Sequence, residues 1–176
     1  MSSSSLSIII LTYNEQQHIE RCIDSVKQIA KNIYVVDSYS SDETINLAKN
    51  KGAIVYQNKW LDNHSKQVNW ALENCDIKTK WVMRLDADEV LDSDLVKEIQ
   101  VELSKDNNIK GYTLKRGHIF LGKKMLHGGN YPTKLLRIWQ HGLGYCENKL
   151  MDEHIVLHGD YKTKLLAGSF WDYNLN

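Results

Sequence analysis

Four times between Leu6 and Leu103 the chain passes from a short β-branched or aliphatic run to a stretch whose apolar residues recur every three or four positions. The runs Leu6–Leu11, Ile33–Val36, Ala53–Tyr56 and Trp81–Leu85 read as short strands, the first apolar enough to be buried on both faces. Between them the period lengthens. Ile19, Cys22, Ile23, Val26 and Ile29 mark one face of a helix over 16–30, entered from Asn14 as its N-cap. Ser40 and Glu43 have capping-box spacing for a second helix, which Gly52 stops. Val68, Ala71, Leu72 and Cys75 define a third over 65–74, and Val96, Ile99 and Leu103 a fourth over 93–103. Consecutive strand–helix units predict a parallel α/β sheet with right-handed crossovers, and such sheets bind ligands outside the carboxyl ends of their strands.

Polar residues collect at those ends. The first strand runs into Thr12-Tyr13-Asn14-Glu15, the second into Asp37-Ser38 and the fourth into Asp86-Ala87-Asp88. Parallel strands bring all of these to one sheet edge. There Tyr13 can pack against a base, and Asp37 can accept a hydrogen bond from a base N–H or a ribose hydroxyl. If the fourth strand continues through Asp88, alternation points Asp86 and Asp88 to the same side. Two such carboxylates repel unless a cation lies between them, which suits a magnesium- or manganese-type site completed by diphosphate oxygens. The plainer reading is that these acids only cap the next helix. No GxGxxG follows the first strand and no GxxxxGK[ST] occurs anywhere, which disfavours a dinucleotide oxidoreductase and a P-loop enzyme. Phosphate charge must then be met by a metal and by side chains, with Asp86, Asp88 and Lys66 the candidates.

The 176 residues suffice for one domain and are too few for two ordinary ones. A formal net charge of zero argues against nucleic acid as a partner. Cys22, Cys75 and Cys146 are odd in number and lack CxxC spacing, so reduced thiols in a cytosolic compartment are expected, without a zinc site. Met1–Ser5 lacks the pattern of a secretory signal, and the longest apolar run is far too short to span a membrane.

After Lys105 the rhythm changes. Gly111–Leu121 and Lys134–Trp139 read as strands with no helix between them, so antiparallel additions to the sheet are expected. The segment Asp160–Asn176 carries no pattern that decides between helix and loop. The change divides the chain into a first half of about 1–104 and a second of about 105–176. Trp139 and Trp171 are either core or sugar-stacking residues, with core the commoner fate of tryptophan.

Together these strand ends resemble the family 2 inverting glycosyltransferases. The closest likeness is to the bacterial lipopolysaccharide-core β-glucosyltransferase branch. Lys66-Gln67-Val68-Asn69-Trp70-Ala71-Leu72, His127-Gly128-Gly129, Tyr131-Pro132, Lys134-Leu135-Leu136-Arg137 and Met151-Asp152-Glu153-His154 follow in the matching order. The resemblance implies a single GT-A domain over 1–176, the nucleotide-diphospho-sugar transferase fold, with about 1–104 its nucleotide-sugar-binding half and about 105–176 its acceptor-side half. That fold is a Rossmann-like, mostly parallel sheet flanked by helices, with mixed strands in the second half. It implies a UDP-sugar donor and a divalent metal, Mn2+ or Mg2+. Thr12, Tyr13 and Glu15 match the first nucleotide-contacting loop, and Asp37 matches the acid that recognises uridine. Lys66, Gln67 and Asn69 match the helix approaching nucleotide and donor. Asp88 matches the principal metal ligand, with Asp86 holding ribose or a metal water. Asp152 and Glu153 fall where the acceptor-side base stands. The branch usually has His-Glu there, so the two carboxylates remain alternatives, Glu153 favoured.

Inverting transfer needs a base to accept the proton of the attacking hydroxyl and charge stabilisation for the departing diphosphate. The implied acceptor is a cell-envelope glycan or lipid-linked saccharide at the inner membrane face, with peripheral membrane association and no span. Two further readings stand beside this one: a non-catalytic nucleotide-sugar-binding module, and a sugar nucleotidyltransferase. The second usually carries a glycine-rich basic loop that is missing here.

Overall fold

The computed structural model describes residues 5–127, 131–149 and 153–175. Within them the elements run β1 (Leu6–Thr12), α1 (Ile19–Val26), β2 (Asn32–Asp37), α2 (Thr44–Asn50), β3 (Ile54–Gln57), α3 (His64–Asn74), β4 (Trp81–Asp86) and β5 (Glu89–Leu91). Then follow α4 (Ser93–Leu103), β6 (Gly111–Phe120), β7 (Lys123–Lys124), β8 (Thr133–Gln140), β9 (Gly144–Cys146), β10 (Ile155–Leu157) and β11 (Thr163–Asp172). One sheet has the order β3-β2-β1-β4-β8-β6-β11-β5. Its first four strands are parallel, β8 joins β4 antiparallel, and β6, β11 and β5 complete a mixed far side. β7 folds back on β6, and β9 pairs with β10 apart from the main sheet.

Strand alternation sorts the buried side chains into two cores. Leu6, Ile8 and Ile10 of β1 pack with Ile33, Val35, Met83 and Leu85 against α1 and α4. Ile9 and Leu11 pack with Tyr34, Val36 and Val82 against Val68 and Ala71 of α3, and beyond them meet Trp139, Cys146 and Ile155. Each fully buried aliphatic side chain contributes about 1.5–3 kcal/mol relative to exposure, so these central strands are the most strongly held part of the molecule. The same alternation sends Arg84 and Asp86 to the α3 face with Val82. It also sets Thr12 and Asp37, register partners across β1 and β2, side by side on the opposite face.

Several expectations are corrected. β4 ends at Asp86, and Ala87-Asp88 form a turn, so strand alternation does not align Asp86 with Asp88. The turn forms because the Asp86 N–H donates to the Glu89 side chain (2.9 Å), bending the chain where a strand would have continued. Glu89 then opens β5, a strand inserted before α4 that the strand–helix reading missed. Asn14 is not a helix cap: it takes φ +55°, and α1 begins only at Ile19 with His18 in the cap position. The Ser40–Glu43 capping box does not form either, because Asp42 receives the Thr44 N–H (3.0 Å) while Ser40 bonds Asp37. The final segment is the long strand β11. Its register shifts between Leu165 and Ser169, which destroys the alternation that would have identified it. Trp139 is fully buried and Trp171 nearly so, which makes both core residues and neither a sugar platform. The three cysteines are free and buried.

Candidate functional site

Two loops joined at their backbones form one wall of a cleft at the carboxyl edge of β1 and β2. The positive φ of Asn14 lets its side chain accept the Ser41 N–H (2.8 Å) while its own N–H reaches Ser40 Oγ (2.8 Å). The Glu15 N–H donates to Thr44 Oγ1 (2.8 Å). Beneath them Thr12 Oγ1 donates to Asp37 (3.0 Å), and Ser40 donates both its N–H (2.8 Å) and its hydroxyl (2.5 Å) to the same carboxylate. Asp37 has no exposed surface, so it is the anchor of these loops. Tyr13, by contrast, is 60% exposed on the cleft wall with Thr12 and Glu15.

Opposite them stand Asp86, Ala87 and Asp88, in a cleft of about 240 Å³. Burial opposes ionisation of Asp86, but the guanidinium groups of Arg84 and Arg137 outweigh it and hold the carboxyl below its ordinary value. Asp88 behaves oppositely. Burial, followed by the nearby charges of Asp172, Asp86 and Glu15, pushes it up to about 6. The turn carrying it is fixed from behind: Glu89 is wholly buried and pairs with Arg137 (3.0 Å) and Arg116 (3.4 Å). The chain beyond β11 closes over the same turn, with the Tyr173 N–H on the Asp88 carbonyl (2.9 Å) and Asn174 Nδ2 on its carboxylate (3.5 Å). Leu175 N–H donates to Nε2 of buried His18 (2.9 Å), which leaves the ring proton on Nδ1 to face Glu15 (2.5 Å).

The other expected residues are dispersed. Glu153 Oε1 accepts from Arg84 Nη2 (3.0 Å), whose other partner is Asp86 (3.3 Å). Glu153 lines a small crevice with Arg84, Arg137 and Ile155 and is not among the residues lining the cleft. Asp152 lies outside the described residues, as do Gly128 and Gly129. Lys66 is half exposed beside Asp62 (3.8 Å). Gln67 is fully buried: its Nε2 donates to Ser38 Oγ (3.0 Å) and to the Asn58 backbone carbonyl (3.1 Å), and its Oε1 accepts from Asn58 Nδ2 (2.8 Å). Asn69 pairs with both the N–H and the C=O of Cys146 (2.8 Å each), fastening α3 to β9. These three side chains therefore shape or flank the site without lining its cleft.

Trp60, His64 and Arg116 line the cleft and escaped sequence reasoning. His64 opens α3, and Trp60 meets it edge-on at 5.0 Å between ring centres. Asp172 was missed as well, and it binds Arg116 (2.7 Å). The only signal available for His64 was its place at a helix start after a strand; Arg116 and Asp172 had none.

Among the described residues no group of three or more His, Cys, Asp or Glu side chains is arranged to hold a metal. The donor set nevertheless fits a hard divalent cation of the kind that keeps waters and substrate phosphates as ligands. Asp88 and Asp86 face a polar cleft, and the crowding of carboxylates that raises Asp88 is relieved by a cation.

The sequence profile of Glycosyl transferase family 2 matches residues 7–156. An uncharacterised glycosyltransferase of Rickettsia bellii is 40% identical over 102 residues, 58% of this chain and 34% of that protein. The lipopolysaccharide core biosynthesis glycosyltransferase LpsC of Rhizobium meliloti is 28% identical over 160 residues, 88% of this chain and 58% of LpsC. The chain thus spans only part of the length of these curated relatives. Among solved structures, S. aureus TarS 1–349 superposes with a TM-score of 0.66 at 17% identity, covering 96% of this chain and 60% of TarS. Glucosyl-3-phosphoglycerate synthase from Mycobacterium tuberculosis, in complex with Mn2+, UDP and glucosyl-3-phosphoglycerate, gives 0.51 at 21% identity, covering 65% of this chain and 44% of the synthase. At these identities the likeness carries the fold, which is GT-A.

Proposed function

The chain belongs to glycosyl transferase family 2, and on that premise we propose that it transfers a sugar, with inversion, from a UDP-sugar to a hydroxyl of a bacterial cell-envelope glycan or lipopolysaccharide acceptor. One observation carries the reading: Thr12 at the end of β1, with Tyr13 and Glu15 just beyond it, faces Asp86 at the end of β4 and Asp88 of the following turn across a single polar cleft. That the synthase above was solved with UDP and Mn2+, and that LpsC is named for lipopolysaccharide core biosynthesis, supports the choice of donor and acceptor class.

In this reading Tyr13 offers its exposed ring to the uracil, and Asp37 receives a uridine N–H when the Ser40 loop yields one of its two bonds. Asp86 would hold ribose or a water of the cation. Asp88, with Asp86 beside it, would hold the divalent cation, which would supply stabilisation of the negative charge on the leaving diphosphate. Arg116 adds fixed positive charge at the cleft wall. His18, locked by Leu175, orients the Glu15 carboxylate. Glu153 is the base. Arg84 occupies its Oε1, so Oε2 takes the hydroxyl proton. Asp152 is the alternative base.

The test sets UDP binding by calorimetry beside UDP-sugar turnover with Mn2+. Binding with turnover supports transfer. Binding without hydrolysis or transfer would leave a nucleotide-sugar-binding module, and pyrophosphate release from UTP would mark a nucleotidyltransferase.

A further inference from the structure

Away from the cleft, the β6–β7 hairpin carries an apolar tip into solvent. Phe120 is 64% and Leu121 86% exposed, and Met125 and Leu126 just after β7 are 45% and 49% exposed. Leu121 and Gly122 form the two-residue turn with φ values of +49° and +74°. Asparagine or glycine meets the first of these angles more cheaply, and either would be soluble there. The chain instead strains a leucine and displays it. Single exposed apolar residues are ordinary, but grouped ones mark an interaction surface. Leu175 extends the group, lining with Phe120 and Leu121 a hollow of about 460 Å³.

Charge specifies the partner. From Gly111 to Cys146 the chain carries six basic residues, Lys115, Arg116, Lys123, Lys124, Lys134 and Arg137, and no acid, although its net charge is zero. Arg116, Lys124 and Arg137 are paired with acids of other segments. Lys115, Lys123 and Lys134 have no ion pair among the described residues, and Lys123 stands directly opposite Phe120. An apolar wedge with the unpaired Lys123 beside it, and the unpaired Lys115 and Lys134 farther down β6 and β8, matches the boundary of an anionic bilayer, where acyl chains and phosphates meet.

We infer that the β6–β7 hairpin docks on an anionic phospholipid bilayer, with Phe120 and Leu121 entering the headgroup boundary and Lys123 meeting lipid phosphate. Asp172 lines the hairpin hollow and is bonded by Arg116 of the cleft (2.7 Å), so docking brings the cleft close to the membrane surface. The purpose of docking, access to a membrane-borne acceptor, rests on the proposed function; the docking itself does not.

Flotation with vesicles of phosphatidylcholine alone, and of phosphatidylcholine mixed with phosphatidylglycerol, tests it. The chain should float with the mixed vesicles and lose binding as salt rises. The pair Phe120→Ser and Leu121→Ser should weaken binding at least about tenfold, and Lys123→Glu by about fivefold or more. Both changes are at exposed positions, so manganese–UDP binding by calorimetry should be unchanged and reports an intact fold. Failure of the parent to bind mixed vesicles, or binding that survives the hairpin changes, overturns the inference. So does a concentration-dependent dimer that the same changes dissolve, which would assign the tip to a second copy. A parent that docks on vesicles but binds no UDP leaves docking intact and removes the proposed donor instead.

Discussion

Arg84 donates from Nη2 to Glu153 Oε1 at 3.0 Å, a contact between residues 69 positions apart that joins β4 to the segment entering β10. The same nitrogen lies 3.3 Å from Asp86 Oδ1, so one buried cation serves both carboxylates. Removing it should strand two carboxylates in a poorly solvated place. Arg84→Met should therefore cost about 3–5 kcal/mol in urea unfolding, and adding Glu153→Gln should recover part of that loss. Equal stability of Arg84→Met and the parent would mean that the contact carries no net energy.

Glu153→Gln separates binding from chemistry. The change keeps the shape of the side chain and removes its basicity. UDP affinity should hold within about twofold while transfer falls by roughly 10²–10⁴-fold, the usual contribution of a positioned base. Unchanged turnover would move the base to Asp152.

The raised Asp88 carboxyl makes a pH prediction with a definite sign. Its ordinary value is 3.8 and burial with neighbouring acids lifts it to about 6, so the folded metal-free chain binds more protons than the unfolded chain between these values. This group's contribution to stability is fully present below the ordinary value and is lost as pH rises through about 6. Asp42, Asp24 and Glu102 shift downwards and act in the opposite sense, so the comparison must be with Asp88→Asn. Thermal melts without metal should show the parent losing ground to that variant from pH 5 to pH 7, and saturating Mn2+ should restore it most at pH 7. A difference independent of pH would contradict the raised carboxyl.

Gly168 tests the packing of the late strand. A Cβ there would stand 2.7 Å from both the Cα and the Cβ of Leu95, and backbone cannot swing aside as a flexible side chain does. Gly168→Ala should cost about 1–3 kcal/mol by urea unfolding, as overpacking does elsewhere.

The helices and parallel strands were largely legible because each is specified by local spacing. The fourth helix was read over 93–103 and forms over Ser93–Leu103, since its apolar period and the break after Leu103 are both in view. β11 was illegible for the converse reason. Its bulge interrupts alternation, and the partners that stabilise it are distant: Glu98 takes the Ala167 and Gly168 N–H groups at 2.8 and 2.9 Å. At the site, Thr12, Tyr13, Glu15, Asp86 and Asp88 were read from strand ends and line one cleft. Arg116 and Asp172 come from strands whose pairing no local pattern records. Lys66, Gln67 and Asn69 were named through the family resemblance, and the helix does approach the site. Their side chains, however, bond protein partners or solvent-facing acid, because a residue's match to a motif does not determine which way its hydrogen bonds run.

In the proposed function Asp88 holds the cation through which UDP is bound. Calorimetry of UDP with the parent and with Asp88→Asn, each with and without Mn2+, measures it most directly. The parent should bind UDP far more tightly with Mn2+ than without, and Asp88→Asn should lose that difference. An Asp88→Asn chain that bound manganese–UDP as tightly as the parent would contradict the account.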